Sequence, residues 1–439
     1  MKRVPGGGGA ARAVAELTPS TRALRHMIQA FREEMARGLS SQPSSLKMLP
    51  AFVDQPRGDE RGPVAVVDWG GTHGRVEVID LDGAGAYRVV AAERFEWSDA
   101  DRAGPAQVVF ERFAVALSRV LGELRPSGAV PLGFVYSYPA RFERIDRAIA
   151  LSLTKGWRLT GLVGNDAGGM LADAVAGAGL DPVRVTAVTN DTVAALALGS
   201  YRMRGHDRRA RPADVGLIVG TGTNQAADLP GHGVRNLESG NFDKVAELAT
   251  EWDAALDRDV ADPAPGAQRF EKMAAGHYLG EIVRRVARDL AECSGALRAA
   301  DNAFERPFGV ESAHLSAIAA DPSRDLAGAD ALLRAMGVAT TRGQRHVLMS
   351  LADAVARRSA RMIAAAVLGT VTFADQDAQR LHVVAVDGSL YGGFPGFPDM
   401  VRDGLAELAE PVAAGRIRLD YVRDSTSAGA AVIARAAWS

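Results

Sequence analysis

Cysteine is nearly missing from this chain: Cys293 is the only one in 439 residues. A single thiol cannot build an intramolecular disulfide framework or a cysteine-rich metal site, and it suits a reducing compartment. An excess of charge is missing as well. The 51 basic and 53 acidic residues leave a formal net charge of −2, so nothing in the balance points to nucleic acid or to an anionic membrane. No apolar run reaches the length of a membrane span. Residues 1–12 are Gly-rich and basic and lack the apolar centre of a signal peptide. The expectation is a soluble, cytoplasmic, globular protein with no nucleic-acid or membrane partner, its first 16 residues a disordered tail. The length predicts two or three domain-sized units, and an apolar content of 47% supplies their cores.

What is present is a series of apolar strands that run into turns. Residues 17–38 read as a helix, with Thr18 or Ser20 as its cap and Leu24, Met27, Ile28, Phe31 and Met35 on one face. A polar break at 40–45 and an apolar extended stretch at 47–53 lead to a charged linker at 55–62. Strands at 64–67, 75–79 and 87–95 are separated by Gly-Gly and Asp-Gly turns, and a helix over 106–124 and a continuous apolar strand over 130–136 follow. Another apolar run spans 183–188. The second half opens on a strand over 215–219 and continues through helices over 270–293 and 346–369. Strands over 382–386 and 417–422 and a helix from Ser427 complete it. No short tandem repeat is visible, but each half begins with an apolar strand that ends in a Gly/Thr turn.

Two of those turns occupy matching places. Asp68-Trp69-Gly70-Gly71-Thr72-His73-Gly74-Arg75 lies between two short strands, and Gly220-Thr221-Gly222-Thr223-Asn224 directly follows a strand in the second half. Glycines there let the backbone approach an anion, the exposed N–H groups and Thr72 can donate to phosphate oxygens, and Asp68 could hold a magnesium ion through water. An ordinary hairpin turn is the other reading of the first motif. The absence of Gly-Lys-Ser/Thr sets both apart from a P-loop, and a strand rather than a helix after the first turn sets it apart from a dinucleotide fingerprint. Asp387-Gly388-Ser389 is a third candidate. Ser425-Thr426-Ser427-Ala428-Gly429-Ala430, at a helix start, is a fourth, suited to adenosine or phosphate. One such loop per half suggests a nucleotide held between two lobes.

Residues 186–192, Thr-Ala-Val-Thr-Asn-Asp-Thr, place a carboxylate at the mouth of a strand-to-helix turn, where open α/β sheets put their chemistry. Either Asn190 or Asp191 caps the helix that starts there, or Asp191 is a catalytic base.

Together these segments resemble the hexokinase family of sugar kinases, within the actin-like ATPase fold, from Leu17 to the C-terminus. Lys47-Met48-Leu49-Pro50 matches the family's Lys-Met-Leu-Pro segment, and Ser137-Tyr138-Pro139 is similar to its Ser-Phe-Pro sugar loop. Leu153-Thr154-Lys155-Gly156-Trp157 resembles Trp-Thr-Lys-Gly-Phe, and Gly164-Asn165-Asp166 resembles Gly-Glu-Asp. Asn190-Asp191-Thr192-Val193, the segment 217–224, Phe270-Glu271-Lys272-Met273 and Tyr278-Leu279-Gly280-Glu281 follow in family order.

The resemblance implies an α/β fold of two lobes with ribonuclease-H-like (actin-like ATPase) topology and a cleft between them. The small lobe would span 61–190 with the C-terminal helix 425–439, and the large lobe 191–424, with residues 17–60 packed on it. It implies ATP-dependent phosphorylation of a hexose at its 6-hydroxyl, glucose foremost, by a monomer or homodimer. Asp191 would be the general base, with Lys155 as the second catalytic residue. Ser137, Thr154, Lys155, Asn190, Asn224, Glu238 and Glu271 would hydrogen-bond the sugar. Gly70, Gly71, Thr72, Arg75, Thr221 and Gly222 would surround the phosphates of ATP, with Gly388 and Ser389 beside them. Asp68 would place Mg²⁺, and Ser427 and Gly429 would lie near the adenosine. Closure of the lobes around the sugar is expected, with a hinge near residues 191–215. Blander roles exist for some of these: Glu271 as an acidic first-turn residue, Lys155 as a solvated charge, Glu238 as surface loop.

The match departs from the family in two places. His73 and Gly74 stand in the Gly-Gly-Thr-Asn-Phe-Arg turn for Asn and Phe, after a Trp69 that replaces Leu. The expectation is that His73 takes over an amide contact to phosphate or sugar and that Gly74 loosens the turn. Glu238-Ser239-Gly240-Asn241-Phe242-Asp243 stands for Glu-Trp-Gly-Ala-Phe-Gly, so Ser239 and Asn241 alter the sugar wall. Kinases for mannose, fructose or an amino sugar therefore stay open, as does a catalytically idle sugar-binding regulator on the same scaffold.

Overall fold

The computed structural model describes residues 8–40, 42–124, 128–153, 156–290, 302–376, 378, 380–410 and 415–438. Thr154, Lys155 and Cys293 lie outside them.

The chain opens with α1 (Gly9–Glu16) and α2 (Thr21–Leu39). The tail expected over residues 1–16 is thus helical from Gly9: Ala13 is buried in the same core as Leu17 and Leu24, and that burial fixes the segment. Ser20 is the cap of α2, accepting the Ala23 N–H at 3.2 Å. The short β1 (Leu49–Pro50) follows.

The first sheet is built from β2 (Arg61–Trp69), β3 (His73–Asp82), β4 (Tyr87–Glu96), β5 (Val130–Tyr136) and β8 (Val183–Thr189). Its first three strands form an antiparallel meander, and β5 and β8 run parallel to β2, giving the order β4-β3-β2-β5-β8. Every residue of β5 is buried, as a central strand covered on both faces should be. The helices α3 (Asp99–Ala103) and α4 (Ala106–Leu124) precede β5. Between β5 and β8 the chain makes a hairpin of β6 (Ala140–Arg144) and β7 (Arg147–Ala150), which the sequence pattern did not show, and then α5 (Ala167–Gly177).

After α6 (Asp191–His206) the second sheet repeats this plan. The strands β9 (Val215–Val219), β10 (Thr223–Leu229) and β11 (Gly233–Asn236) form an antiparallel meander. In turn, β12 (His382–Asp387) and β13 (Ile417–Tyr421) extend it in parallel from β9. β1 adds itself to the β11 edge, giving β1-β11-β10-β9-β12-β13. The helix expected over 270–293 is two helices, α8 (Arg269–Ala274) and α9 (Gly276–Asp289), preceded by α7 (Glu251–Asp259). Ala275 breaks them with an extended backbone, φ −83° and ψ 149°; the end of that expected helix lies outside the described residues. A 33-residue helix, Arg342–Ala374, runs through this core.

The final helix, Ser425–Ala437, starts two residues earlier than the sequence pattern placed it and packs against α6. The two helices cross so closely that a Cβ on Gly429 would come within 1.9 Å of the Ala194 carbonyl oxygen. A core containing Val66, Val135, Leu196, Ala430 and Val383 joins the two sheets through this crossing. No helix among the described residues is long and apolar enough to cross a membrane.

Candidate active site

The carboxyl ends of β5 and β8 and the turn before β10 open onto a cavity of about 710 Å³. Ser137, Asn190, Asp191, Asn224, Glu238 and Glu271 all line it, although they come from five separate stretches of sequence. Of the expected sugar residues only Thr154 and Lys155 cannot be placed.

The strand-to-helix turn after β8 divides its work between neighbours. The Asn190 backbone is extended, φ −105° and ψ 175°, and its Oδ1 accepts the Val193 N–H at 3.0 Å and the Thr192 hydroxyl at 3.2 Å. Asn190 is therefore the N-cap of α6. Asp191 is the first helical residue; its Oδ1 accepts the Thr192 N–H at 2.8 Å, and its carboxylate borders the cavity.

Opposite lies an amide and carboxylate network. Asn224 Nδ2 donates to Asn236 Oδ1 at 2.9 Å, Asn236 Nδ2 donates to Glu238 Oε1 at 2.7 Å, and the Ser239 N–H donates to Asn224 Oδ1 at 2.9 Å. Glu238 holds a left-handed backbone, φ 53°, as does Gln268, φ 49°, on the same wall. Non-glycine residues there cost of order 1 kcal/mol or more and are retained where the side chain must be aimed. Glu271 Oε2 accepts the Thr223 N–H at 3.0 Å, and a Cβ on Gly222 would lie 2.9 Å from that same oxygen.

Two smaller spaces adjoin. One of about 240 Å³ is bordered by Asp68, Arg75, Asp191, Gly388, Ser389 and Asp424. Asp68 and Arg75 face each other directly across β2 and β3. Asp387, on the same wall, is committed to structure: its Oδ2 accepts the Ser425 N–H at 2.6 Å and hydroxyl at 2.7 Å, tying β12 to the start of the C-terminal helix. The other, of about 670 Å³, is bordered by Thr221, His277, Phe308, Ser312, Ser389 and Phe394. Asp191 is shared by the first and second spaces, Thr221 by the first and third, and Ser389 by the second and third. The three spaces therefore meet around these residues.

Gly71, Thr72, Thr221 and Gly222 line the large cavity, whereas Gly70 closes the turn behind it, donating its N–H to the His73 carbonyl at 3.1 Å. Ser427 and Gly429 do not reach these spaces. Both are buried in the C-terminal helix, Gly429 being small because Ala194 lies against it, and Thr426 is the residue of that segment that borders the 240 Å³ space. His73 also turns elsewhere, its Nε2 3.4 Å from Glu96 Oε1. Gly74 lies within β3, where a Cβ would come within 2.7 Å of the Phe95 and Trp97 rings; it makes room for aromatic packing and does not loosen the turn.

Several wall residues carried no signal in the sequence pattern: Asn236, Gln268, Asp262 and His277; Tyr278, quoted above only as part of a matching segment, joins them on the wall. Both Tyr138 and Tyr278 border the cavity, and burial pushes them well above the ordinary tyrosine range, so both hydroxyls stay neutral. Burial lowers His277 below the usual imidazole range. Among the described residues no group of three or more His, Cys, Asp and Glu side chains is placed to form a metal cage. The all-oxygen donors beside the 240 Å³ space instead fit a hard cation that keeps its waters and is carried in on phosphates.

Two hexokinase family models match the chain, one over residues 10–201 and one over 214–436. The chain is 31% identical over 448 residues to Hexokinase-2 of Candida albicans, covering 95% of this chain and 90% of that protein. It is 34% identical over 449 residues to Hexokinase-1 of Nicotiana tabacum, covering 95% and 88%. A crystal structure of a hexokinase superposes with a TM-score of 0.85 at 28% identity over 98% of both chains. A hexokinase from Schistosoma mansoni complexed with glucose shares the fold, with a TM-score of 0.80 at 24% identity over 97% of this chain and 98% of that one.

Proposed function

The chain belongs to the hexokinase family and is an enzyme that phosphorylates hexoses, and we propose that it transfers the γ-phosphoryl group of ATP to the 6-hydroxyl, with Asp191 as general base. The observation that carries this reading is the placement of Asp191 on the wall common to the large polar cavity and the 240 Å³ space.

The hexose would occupy the large cavity, where Ser137, Asn190, Asn224, Glu238 and Glu271 combine donors with acceptors, as a ring of hydroxyls requires. A sugar hydroxyl is a poor acid, so its proton passes to Asp191 as its oxygen bonds to the γ-phosphorus. The bond from that phosphorus to the bridging oxygen breaks, and ADP departs with the electron pair. Gly71, Thr72, Thr221 and Gly222 would bring backbone N–H groups and hydroxyls to the phosphates, and Arg75 a positive charge. Asp68 would hold the magnesium ion that accompanies ATP, through water; that ion supplies charge neutralisation at the phosphates. The nucleoside would extend into the 670 Å³ space. Closure about the crossing of α6 and the C-terminal helix would exclude water.

Glucose is the first substrate to try, within a panel that includes mannose, fructose and glucosamine, with Mg·ATP as donor and coupled detection of ADP. Turnover on at least one hexose is expected; none on any would remove the catalytic reading and leave a sugar-binding protein.

A further inference from the structure

The first phosphate turn is held from behind by Trp97, a residue outside the motifs that carry the resemblance. The Trp97 indole Nε1–H donates to the Gly70 carbonyl at 3.1 Å, and the Trp97 backbone N–H donates to the Thr72 carbonyl at 3.2 Å. One residue thus grips both ends of Gly70-Gly71-Thr72. The peptide groups are planar and trans, so fixing the Gly70 carbonyl fixes the Gly71 N–H in the opposite direction. Gly71 and Thr72 line the large cavity, while Trp97 itself is 6% exposed and lines none of the three spaces.

The indole is in turn held by its neighbours. It packs edge-on against Phe95 (4.9 Å, 88°) and Trp157 (5.2 Å, 75°), lies 6.4 Å from Trp69, and carries the Arg112 guanidinium at 5.2 Å. It fits because position 74, a phenylalanine in the family pattern, is glycine here: a Cβ on Gly74 would lie 2.7 Å from Trp97 Cζ2 and 2.5 Å from Phe95 Cε2. Trp97 and Gly74 therefore act as a matched pair.

We infer that Trp97 is a positioning residue for the phosphoryl donor, acting through the Gly70–Thr72 turn, and that Gly74 is small so that Trp97 can reach it. This rests on the reading of that turn as a phosphate site. If that reading were wrong, Thr72→Ala, a change within the turn itself, would leave the KM for Mg·ATP unchanged, whereas failure of the inference alone leaves Thr72→Ala impaired and appears only in the Trp97 and Gly74 variants.

Trp97→Phe keeps an aromatic ring in the cluster and removes the indole donor. The KM for Mg·ATP should rise by about three- to tenfold, the range one neutral hydrogen bond is worth, while the KM for the hexose stays within about twofold. Gly74→Ala keeps the indole but displaces it, and should give the same one-sided loss. Unchanged ATP kinetics in either variant would overturn the inference, as would equal rises in both KM values. If Trp97→Phe does not fold, Gly74→Ala decides alone; if neither folds, both residues serve the core and the positioning role falls.

Discussion

The side chain of Asn190 takes the capping hydrogen bond from the Val193 N–H at 3.0 Å, and Asp191, the next residue, stands on the wall shared by two cavities. Capping and proton acceptance compete for the same short acidic or amide side chain at a strand-to-helix turn. Two adjacent residues resolve the competition, the amide for the helix and the carboxylate for the cavity. The sequence leaves these roles open because either residue type can cap.

Replacing Asp191 by Ala should lower kcat by about 10²- to 10⁴-fold, the usual worth of a positioned general base. Hexose binding by calorimetry should persist, because Ser137, Asn224, Glu238 and Glu271 remain on the cavity wall. Loss of sugar binding equal to the loss of rate would assign Asp191 to binding instead.

Asn190 separates the same two functions by substitution. Asn190→Ala should cost about 1 kcal/mol of stability, the typical value of a cap, and weaken hexose binding. Asn190→Ser retains a capping oxygen, so its melting temperature should stay near wild type while hexose KM still rises. Equal melting temperatures for the Ala and Ser variants would show that the cap contributes nothing measurable.

The order of strands and the turns at their ends were legible in the sequence because apolar runs ending in Gly/Thr turns are a local signal. Strands 130–136 and 215–219 were readable to the residue for that reason. Gln268 and Asn236 were not, since a single amide in a loop carries no periodicity; their place on the wall depends on backbone geometry and tertiary pairing. Gly74 and Gly429 are small because of Trp97, Phe95 and Ala194, which are distant in sequence. Residues 9–16 were misread as a tail because the Gly-rich run at 6–9 dominates the start of the chain; from Gly9 the segment is rich in alanine, a strong helix former, and packing on another helix fixes it.

Glu238→Gly should show the cost of aiming a side chain into the cavity. Glycine accepts the φ of 53° without strain, and such relief is worth about 1 kcal/mol. The hydrogen bond from Asn236 Nδ2 is lost and offsets part of it. Stability should therefore stay within about 1 kcal/mol of wild type, while hexose KM rises by about tenfold or more, as expected for loss of a charged acceptor. A variant that unfolds readily yet binds hexose normally would make Glu238 a structural residue.

Outside the cavity lining, Arg358 donates to both carboxylate oxygens of Asp253, at 2.7 and 2.8 Å, and both side chains are buried. Burial alone pushes the Asp253 carboxyl upward, but Arg358 and the Thr250 hydrogen bonds outweigh it and hold the carboxyl below its usual range. A carboxyl so depressed binds its proton less readily in the folded chain than in the unfolded one. Its stabilisation is therefore complete above the unfolded value of about 4 and is lost as the pH falls through the lower folded value. Arg358→Met removes the partner and leaves the burial, which reverses the direction of the shift. The variant should lose about 3–5 kcal/mol near pH 7, where it buries an unpaired charge. The deficit should shrink as the pH falls, because protonating Asp253 removes that charge while the wild type gains nothing comparable. Urea unfolding of both proteins between about pH 7 and about pH 4.5 measures the difference. A deficit that stays constant across this window would mean that Asp253 does not depend on Arg358 for its charge.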